Sequence, residues 1–145
     1  FRKIMYNKIS LLQPLMLIPE NKQYLFFRGF FDGDGCISLN KNGGARLYFY
    51  GHYNQYWQPL MDILTDLNIK YTYQQINRKN NTHLSSHLYI SNKPGINTLF
   101  QYLYPSQKYD FGLSSKYIKM LSVSDSIKRQ YFSTKHRKAD AIKLY

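Results

Sequence analysis

The chain carries a single cysteine, Cys36, among 145 residues. That excludes an internal disulfide and any cysteine-rich zinc site, and it fits a reducing, intracellular compartment. Acid is also scarce. Eight Asp+Glu against 20 Lys+Arg leave a formal charge of +12, more than solubility requires, which points to a polyanionic partner such as nucleic acid or an acidic membrane surface. No apolar run approaches the roughly 18–20 residues of a membrane helix. The nearest, Leu11 to Ile18, is broken by Gln13 and Pro14, so a spanning segment is excluded. Residues 1–19 are basic and acid-free, yet Ser10 is their only Ser or Thr and no cleavage site follows, so they read as a lead-in rather than a transit peptide. An opening Phe1 is expected of a processed product or a piece of a longer chain. What is plentiful is aromatic: 17% of the chain, within 43% hydrophobic residues, too much for disorder and enough for one folded core.

Pro19, Glu20 and Asn21 signal a helix start, and Gln23 to Phe31 is apolar on several faces, which predicts a helix buried on more than one side. Asp32-Gly33-Asp34-Gly35 is expected to stop it. Cys36 to Asn40 and Arg46 to Tyr53 alternate as strands around an Asn42-Gly43-Gly44 turn. Helical spacing resumes at Trp57, Leu60, Met61, Leu64 and Leu67. Lys70–Arg78 and His87–Ser91 suggest a second hairpin joined at Lys79-Asn80-Asn81-Thr82, before helices from Pro94 to Leu103 and from Leu113 to Val123. From Ser124 onward the chain reads as a basic helix or tail. The expected fold is α+β, in the order α-β-β-α-β-β-α: an antiparallel four-stranded saddle sheet with helices on one face. Its other face would carry Ser38, Asn40, Arg46, Tyr48, Tyr50, His52, His87 and Tyr89, a polar, aromatic and basic surface.

The segment Phe27-Arg28-Gly29-Phe30-Phe31-Asp32-Gly33-Asp34-Gly35 resembles the motif of LAGLIDADG homing endonucleases, and the element order matches that family's fold from about Glu20 to Val123. The resemblance implies a site-specific endonuclease for double-stranded DNA, encoded with an intron or intein and dependent on Mg²⁺ or Mn²⁺. It implies Asp34 as metal ligand and catalytic carboxylate, with the Gly33 carbonyl as a second ligand. Hard oxygen donors of this kind suit such cations. Since there is one motif and no second copy, it implies a homodimer on a palindromic or nearly palindromic duplex. Phe27, Gly29 and Phe30 would lie at the helix-pairing interface. Arg28 departs from the motif, which has a small residue there, so it either points away from the helix pair or loosens the contact. Lys116, with Ser114 as the alternative, occupies the place of a basic residue at the scissile phosphate. His52, with Gly51 or Tyr53 as alternatives, occupies that of a solvent-positioning residue. Asp32 is expected to be structural.

A sheet laid along the major groove reads bases with every second side chain. Ser38, Asn40, Arg46, Tyr48, Tyr50, His87 and Tyr89 are the expected contacts, with Thr72, Gln74 and Arg78 on the third strand, or else Gln75 and Asn77. Lys41, Lys79 and the C-terminal cluster would meet phosphates. A dehalogenase-like phosphatase fails for lack of a downstream acidic pair, and an EF-hand fails because Ile37 stands where its glycine is needed. The remaining rival is a maturase or regulator that binds DNA or RNA on the same scaffold without cutting. On either reading, residues 1–19 are expected to be a lead-in or linker remnant, 20–123 a single domain of this family's type, and 124–145 a basic C-terminal helix or tail.

Overall fold

The computed structural model describes residues 15–80, 82–105 and 114–143, so most of the lead-in lies outside the described residues. A short 3-10 turn, Glu20–Lys22, leads into α1 (Gln23–Asp34). Then come β1 (Gly35–Leu39), β2 (Ala45–Gly51), α2 (Gln58–Asp66), β3 (Thr72–Arg78), β4 (His83–Ile90), α3 (Lys93–Leu103) and α4 (Ser114–Lys143). The four strands form one antiparallel sheet in the order β1-β2-β4-β3. The predicted topology is therefore the observed one.

Alternation decides which face is covered. Ile37, Leu47, Phe49, Leu88 and Ile90 point to the helices and are all buried to 2% exposure or less. They meet Phe27 and Phe31 of α1, Leu60 and Leu64 of α2, Ile96, Leu99 and Phe100 of α3, and Met120 and Val123 of α4. Each such side chain contributes about 1.5–3 kcal/mol by leaving water, so this layer holds the sheet in shape. The β1–β2 turn closes through Asn40 N–H to Gly44 O at 2.8 Å, with Gly43 at φ +81°, a conformation that favours glycine. Helix α3 starts on Asn92, whose Oδ1 accepts from Gly95 N–H at 2.7 Å.

Three boundaries differ from the sequence reading. Helix α1 continues through Asp34 instead of stopping at Asp32. Strand β4 begins at His83, four residues before the expected His87, because its polar start pairs with β3 from Arg78↔His83 onward. The C-terminal segment is not a separate helix or tail: α4 is one helix of 30 residues, which at 1.5 Å per residue is about 45 Å long. It runs from the foot of α1, where Lys116 binds, past β1, where Lys119 Nζ donates to Ile37 O at 3.3 Å, to the start of α3, where Lys93 Nζ donates to Ser126 Oγ at 3.1 Å.

Candidate nucleic-acid interface and catalytic foot

The open face of the sheet is assembled by strand register. Ser38 lies opposite Arg46, Cys36 opposite Tyr48, Tyr48 opposite Tyr89, and Tyr50 opposite His87. Thr72 pairs with Tyr89, Gln74 with His87 and Arg78 with His83, so Thr72, Gln74 and Arg78, rather than Gln75 and Asn77, share that face. Gln75 is on the other side, where its amide donates to Tyr53 O at 3.0 Å. Asn40 and Lys41 lie at the β1–β2 turn and Lys79 at the β3–β4 turn. None of the four strands contains an Asp or Glu. By contrast, three of the eight acids, Glu20, Asp62 and Asp66, line a cavity of about 310 Å³ beside Leu15 and Tyr56. The strands thus carry Arg46 and Arg78 with no acid to offset them, which leaves the sheet locally basic.

The middle of the face is aromatic. Tyr48 and Tyr50 stack at 5.5 Å between ring centroids, Tyr89 lies 5.4 Å from Tyr48, and the Arg46 guanidinium sits 6.0 Å over the Tyr89 ring. Arg46 is held still more firmly in its charged form, first by its hydrogen bond with Tyr48. Tyr50 is 41% exposed, yet burial of its hydroxyl end keeps the phenol protonated, with its titration moved up. His87 forms the floor of this patch. Its ring lies 5.6–5.7 Å from Tyr48, Tyr50 and Tyr89, and only 7% of the residue is exposed.

Burial lowers the His87 pKa. The unfolded chain therefore takes up a proton near the ordinary value of about 6.5, whereas the folded chain resists it. Stability is full above that pH and falls as the pH drops below it. Urea midpoints measured from pH 7.5 down to 5 are expected to decline, and His87→Phe is expected to flatten the decline.

At the other end of β1 is the foot of α1. Asp34 is its last residue and Gly33 precedes it. Both are exposed, and Asp34 makes no hydrogen bond or ion pair among the described residues. Asp32, two residues earlier, is committed: its Oδ1 accepts from Tyr104 Oη–H at 2.9 Å. It is structural, as expected. Arg28 turns toward α3, with its guanidinium 5.4 Å over the same Tyr104 ring. Lys116, expected at a scissile phosphate, is placed at this foot but donates to the carbonyls of Phe31 at 2.9 Å and Asp32 at 2.7 Å. It caps the last turn of α1 and so explains why the helix outlasts its glycines.

Gly35 pairs with Phe49, so the residues before Gly35 lie level with the end of β2, where Gly51 leads to His52. Register thus brings Asp34, Gly33 and His52 to one end of the sheet. The His52 side chain is exposed, while its carbonyl accepts from Ser86 Oγ. Ser86, fully buried, in turn accepts from Trp57 Nε1–H at 2.8 Å. This relay was missed in the sequence. The available signal was a serine in the core-facing row Ser86, Leu88, Ile90, near a tryptophan whose N–H needs a partner when buried.

The outer side of α1 requires one correction. Phe27, expected at a pairing interface, is 0% exposed inside the chain's own core. Phe30 is half-buried, stacked on Phe49 and edge-on to Trp57, both at 5.9 Å. The side facing away carries Leu25, 41% exposed, with Gly29 and Gly33, and apart from the helix's own neighbouring backbone no atom of the described residues lies within 4 Å of a Cβ placed on either glycine. Residues 25, 29 and 33 are four apart and share one face. The expected role of Gly29 fits this placement; that of Phe27 does not.

The donor set at the foot is the Asp34 carboxylate and the Gly33 carbonyl. No group of three or more His, Cys, Asp or Glu able to hold a metal occurs among the described residues. A carboxylate and a carbonyl are oxygen donors, which suit a hard cation that completes its shell with water and substrate phosphate. Among the described residues no helix is long and apolar enough to cross a membrane.

The LAGLIDADG-like domain profile matches residues 21–103. No curated protein sequence matches the chain. Solved structures with the same fold include the homing endonuclease I-CvuI in complex with its target in the presence of calcium: 20% identity, TM-score 0.50, covering 74% of this chain and 67% of that one. A group I intron-encoded homing endonuclease, I-CeuI, complexed with DNA, shares 16% identity at TM-score 0.52, covering 94% of this chain and 68% of its own. An archaeal intron-encoded homing endonuclease complexed with DNA shares 12% identity at TM-score 0.52, with coverage of 77% and 72%. With motif, topology and profile in agreement, the chain belongs to the LAGLIDADG homing endonuclease family.

Proposed function

We propose that this protein is a site-specific endonuclease for double-stranded DNA that acts as a homodimer on a palindromic or nearly palindromic site inside a cell, with Mg²⁺ or Mn²⁺ as cofactor. The observation that carries this reading is the pairing of an uncommitted carboxylate, Asp34, with an acid-free sheet face at whose end it sits. The outer side of α1, with Leu25, Gly29 and Gly33, supports close approach of a second α1, which would set two Asp34 residues side by side. Arg46, Gln74 and the tyrosines fit a major groove, and Lys41 and Lys79 its phosphates.

At the foot, Asp34 and the Gly33 carbonyl would hold the cation, and His52 would orient solvent from the end of β2. When bound, such a cation neutralises charge on the phosphate and acidifies water. Lys116 holds the last turn of α1, so the backbone that carries Asp34 is positioned before DNA arrives. The test begins with duplexes selected by the protein from a randomised pool. Incubation with Mg²⁺ or Mn²⁺ is expected to cut both strands at fixed phosphates. Tight binding without cutting in either metal would instead favour the maturase or regulator reading, which the commitment of Lys116 to backbone carbonyls makes worth testing.

Lys79 offers a separate check. It and Asn80 both adopt positive φ, 54° and 51°, a region that disfavours lysine and suits asparagine. A lysine is kept at the hairpin tip despite that cost. Lys79→Asn is expected to leave or slightly raise the melting temperature, to weaken binding about equally for all duplexes, and to lower the slope of log K against log salt by about one per chain.

A further inference from the structure

His87 Nε2 lies 3.0 Å from Gln74 Oε1, across the β3–β4 pair. The other ring nitrogen, Nδ1, is buried with no partner among the described residues, in a side chain 7% exposed beneath Tyr48, Tyr50 and Tyr89. Gln74 itself is exposed at the open face. The ring therefore faces a choice of tautomer. A proton on Nδ1 would leave a buried N–H without an acceptor, whereas a proton on Nε2 leaves only a bare nitrogen there and makes a full hydrogen bond to Gln74. The second arrangement is favoured, and burial keeps the ring neutral.

This fixes the orientation of the glutamine. A free glutamine offers a groove one acceptor and one donor group, and so pairs with both N7 and N6 of adenine. Here the bond to the buried histidine takes one lone pair of the amide oxygen and turns that oxygen toward the floor of the sheet, which leaves the NH₂ group as the part of the amide aimed at DNA. We infer that His87 is a positioning residue which locks Gln74 as a donor-only reader, so that at its base pair the protein selects guanine, whose N7 and O6 are both acceptors, over adenine. The inference rests on the DNA-reading assignment above and goes further, to one atom pair and one base preference per half-site.

Binding selection from randomised duplexes in Ca²⁺, repeated with variants, tests it. The wild-type chain is expected to enrich guanine at one position in each half-site, and Gln74→Ala to flatten that position alone. His87→Phe keeps the ring volume but frees the amide oxygen, so the guanine preference is expected to shift toward adenine by roughly tenfold at the same position. Gln74→Glu, at an exposed site that does not endanger folding, presents an acceptor and is expected to select cytosine there. If His87→Phe folds and leaves that position unchanged, or if Gln74→Ala and His87→Phe alter different positions, the inference is overturned. If His87→Phe loses its melting transition, Gln74→Glu decides: retained guanine preference overturns the inference and a cytosine preference supports it. A wild-type chain that enriches no sequence overturns the DNA-reading assignment, and this inference with it.

Discussion

Asp34→Asn is expected to reduce cleavage by more than about a hundredfold while DNA binding persists and the melting temperature stays level or rises. The magnitude follows from the donor set: groups that merely support a metal ligand cost about 10–100-fold when altered, and Asp34 is the one side-chain ligand assigned at the foot. The unusual half of the prediction is the stability. Asp34 ends α1, whose last turn contains no basic residue. A helix C-terminus carries about half a negative charge, so a carboxylate there is unfavourable by about 0.3–1 kcal/mol. No described residue pairs with Asp34 itself: Lys116, which offsets part of the charge at this helix end, hydrogen-bonds the Phe31 and Asp32 carbonyls instead. The position therefore costs the fold something and repays it only if a cation binds. Cleavage assays on a selected duplex, gel-shift titration and thermal melting of the same preparation check the three parts together. Undiminished cutting by Asp34→Asn would remove the proposed site, and a fall in melting temperature would show that Asp34 serves the fold instead.

Parts of this arrangement were legible because they depend on local pattern. Arg46, Tyr48 and Tyr50 alternate with Leu47 and Phe49, and a period of two assigns the faces of β2 without any coordinates. On β3 the same rule had nothing to act on. It is an edge strand with little buried on either side, so Thr72 and Gln74 looked no different from Gln75 and Asn77 until pairing with β4 set the register. Helix phase failed similarly at Phe26 and Phe27, where consecutive aromatics leave the buried side undefined. The extension of α1 to Asp34 was illegible for a different reason. Its cap comes from Lys116, 84–85 positions away, and no local rule weighs a partner at that distance. Asp34 itself could be read from the motif; its lack of a competing partner among the described residues could not.

The glycines around that foot yield the other large effect, and they divide cleanly. A Cβ on Gly35 would sit 2.2 Å from Phe31 Cδ2 and 2.5 Å from the Phe31 carbonyl oxygen. Phe31 is 0% exposed and pinned from behind by Phe49 at 5.5 Å, so its ring has nowhere to retreat, and the carbonyl is already held by Lys116. The backbone of Gly35, at φ −84° and ψ 163°, suits any residue, so the requirement is for space alone. Gly35→Ala is expected to cost about 3 kcal/mol, the upper end of overpacking penalties, and to shift the hinge between α1 and β1 on which Asp34 depends. Gly29→Ala should do the reverse. With nothing within 4 Å and a mid-helix position, the added methyl is expected to stabilise the isolated chain by about 0.5–1 kcal/mol. In the proposed dimer the same methyl stands where two helices meet, so association should weaken. Urea denaturation at low concentration and sedimentation across a concentration series separate the two: Gly35→Ala should lower the midpoint, while Gly29→Ala should raise it and move the monomer–dimer transition to higher concentration. A Gly29→Ala protein that dimerises as tightly as wild type would take this face of α1 out of the interface.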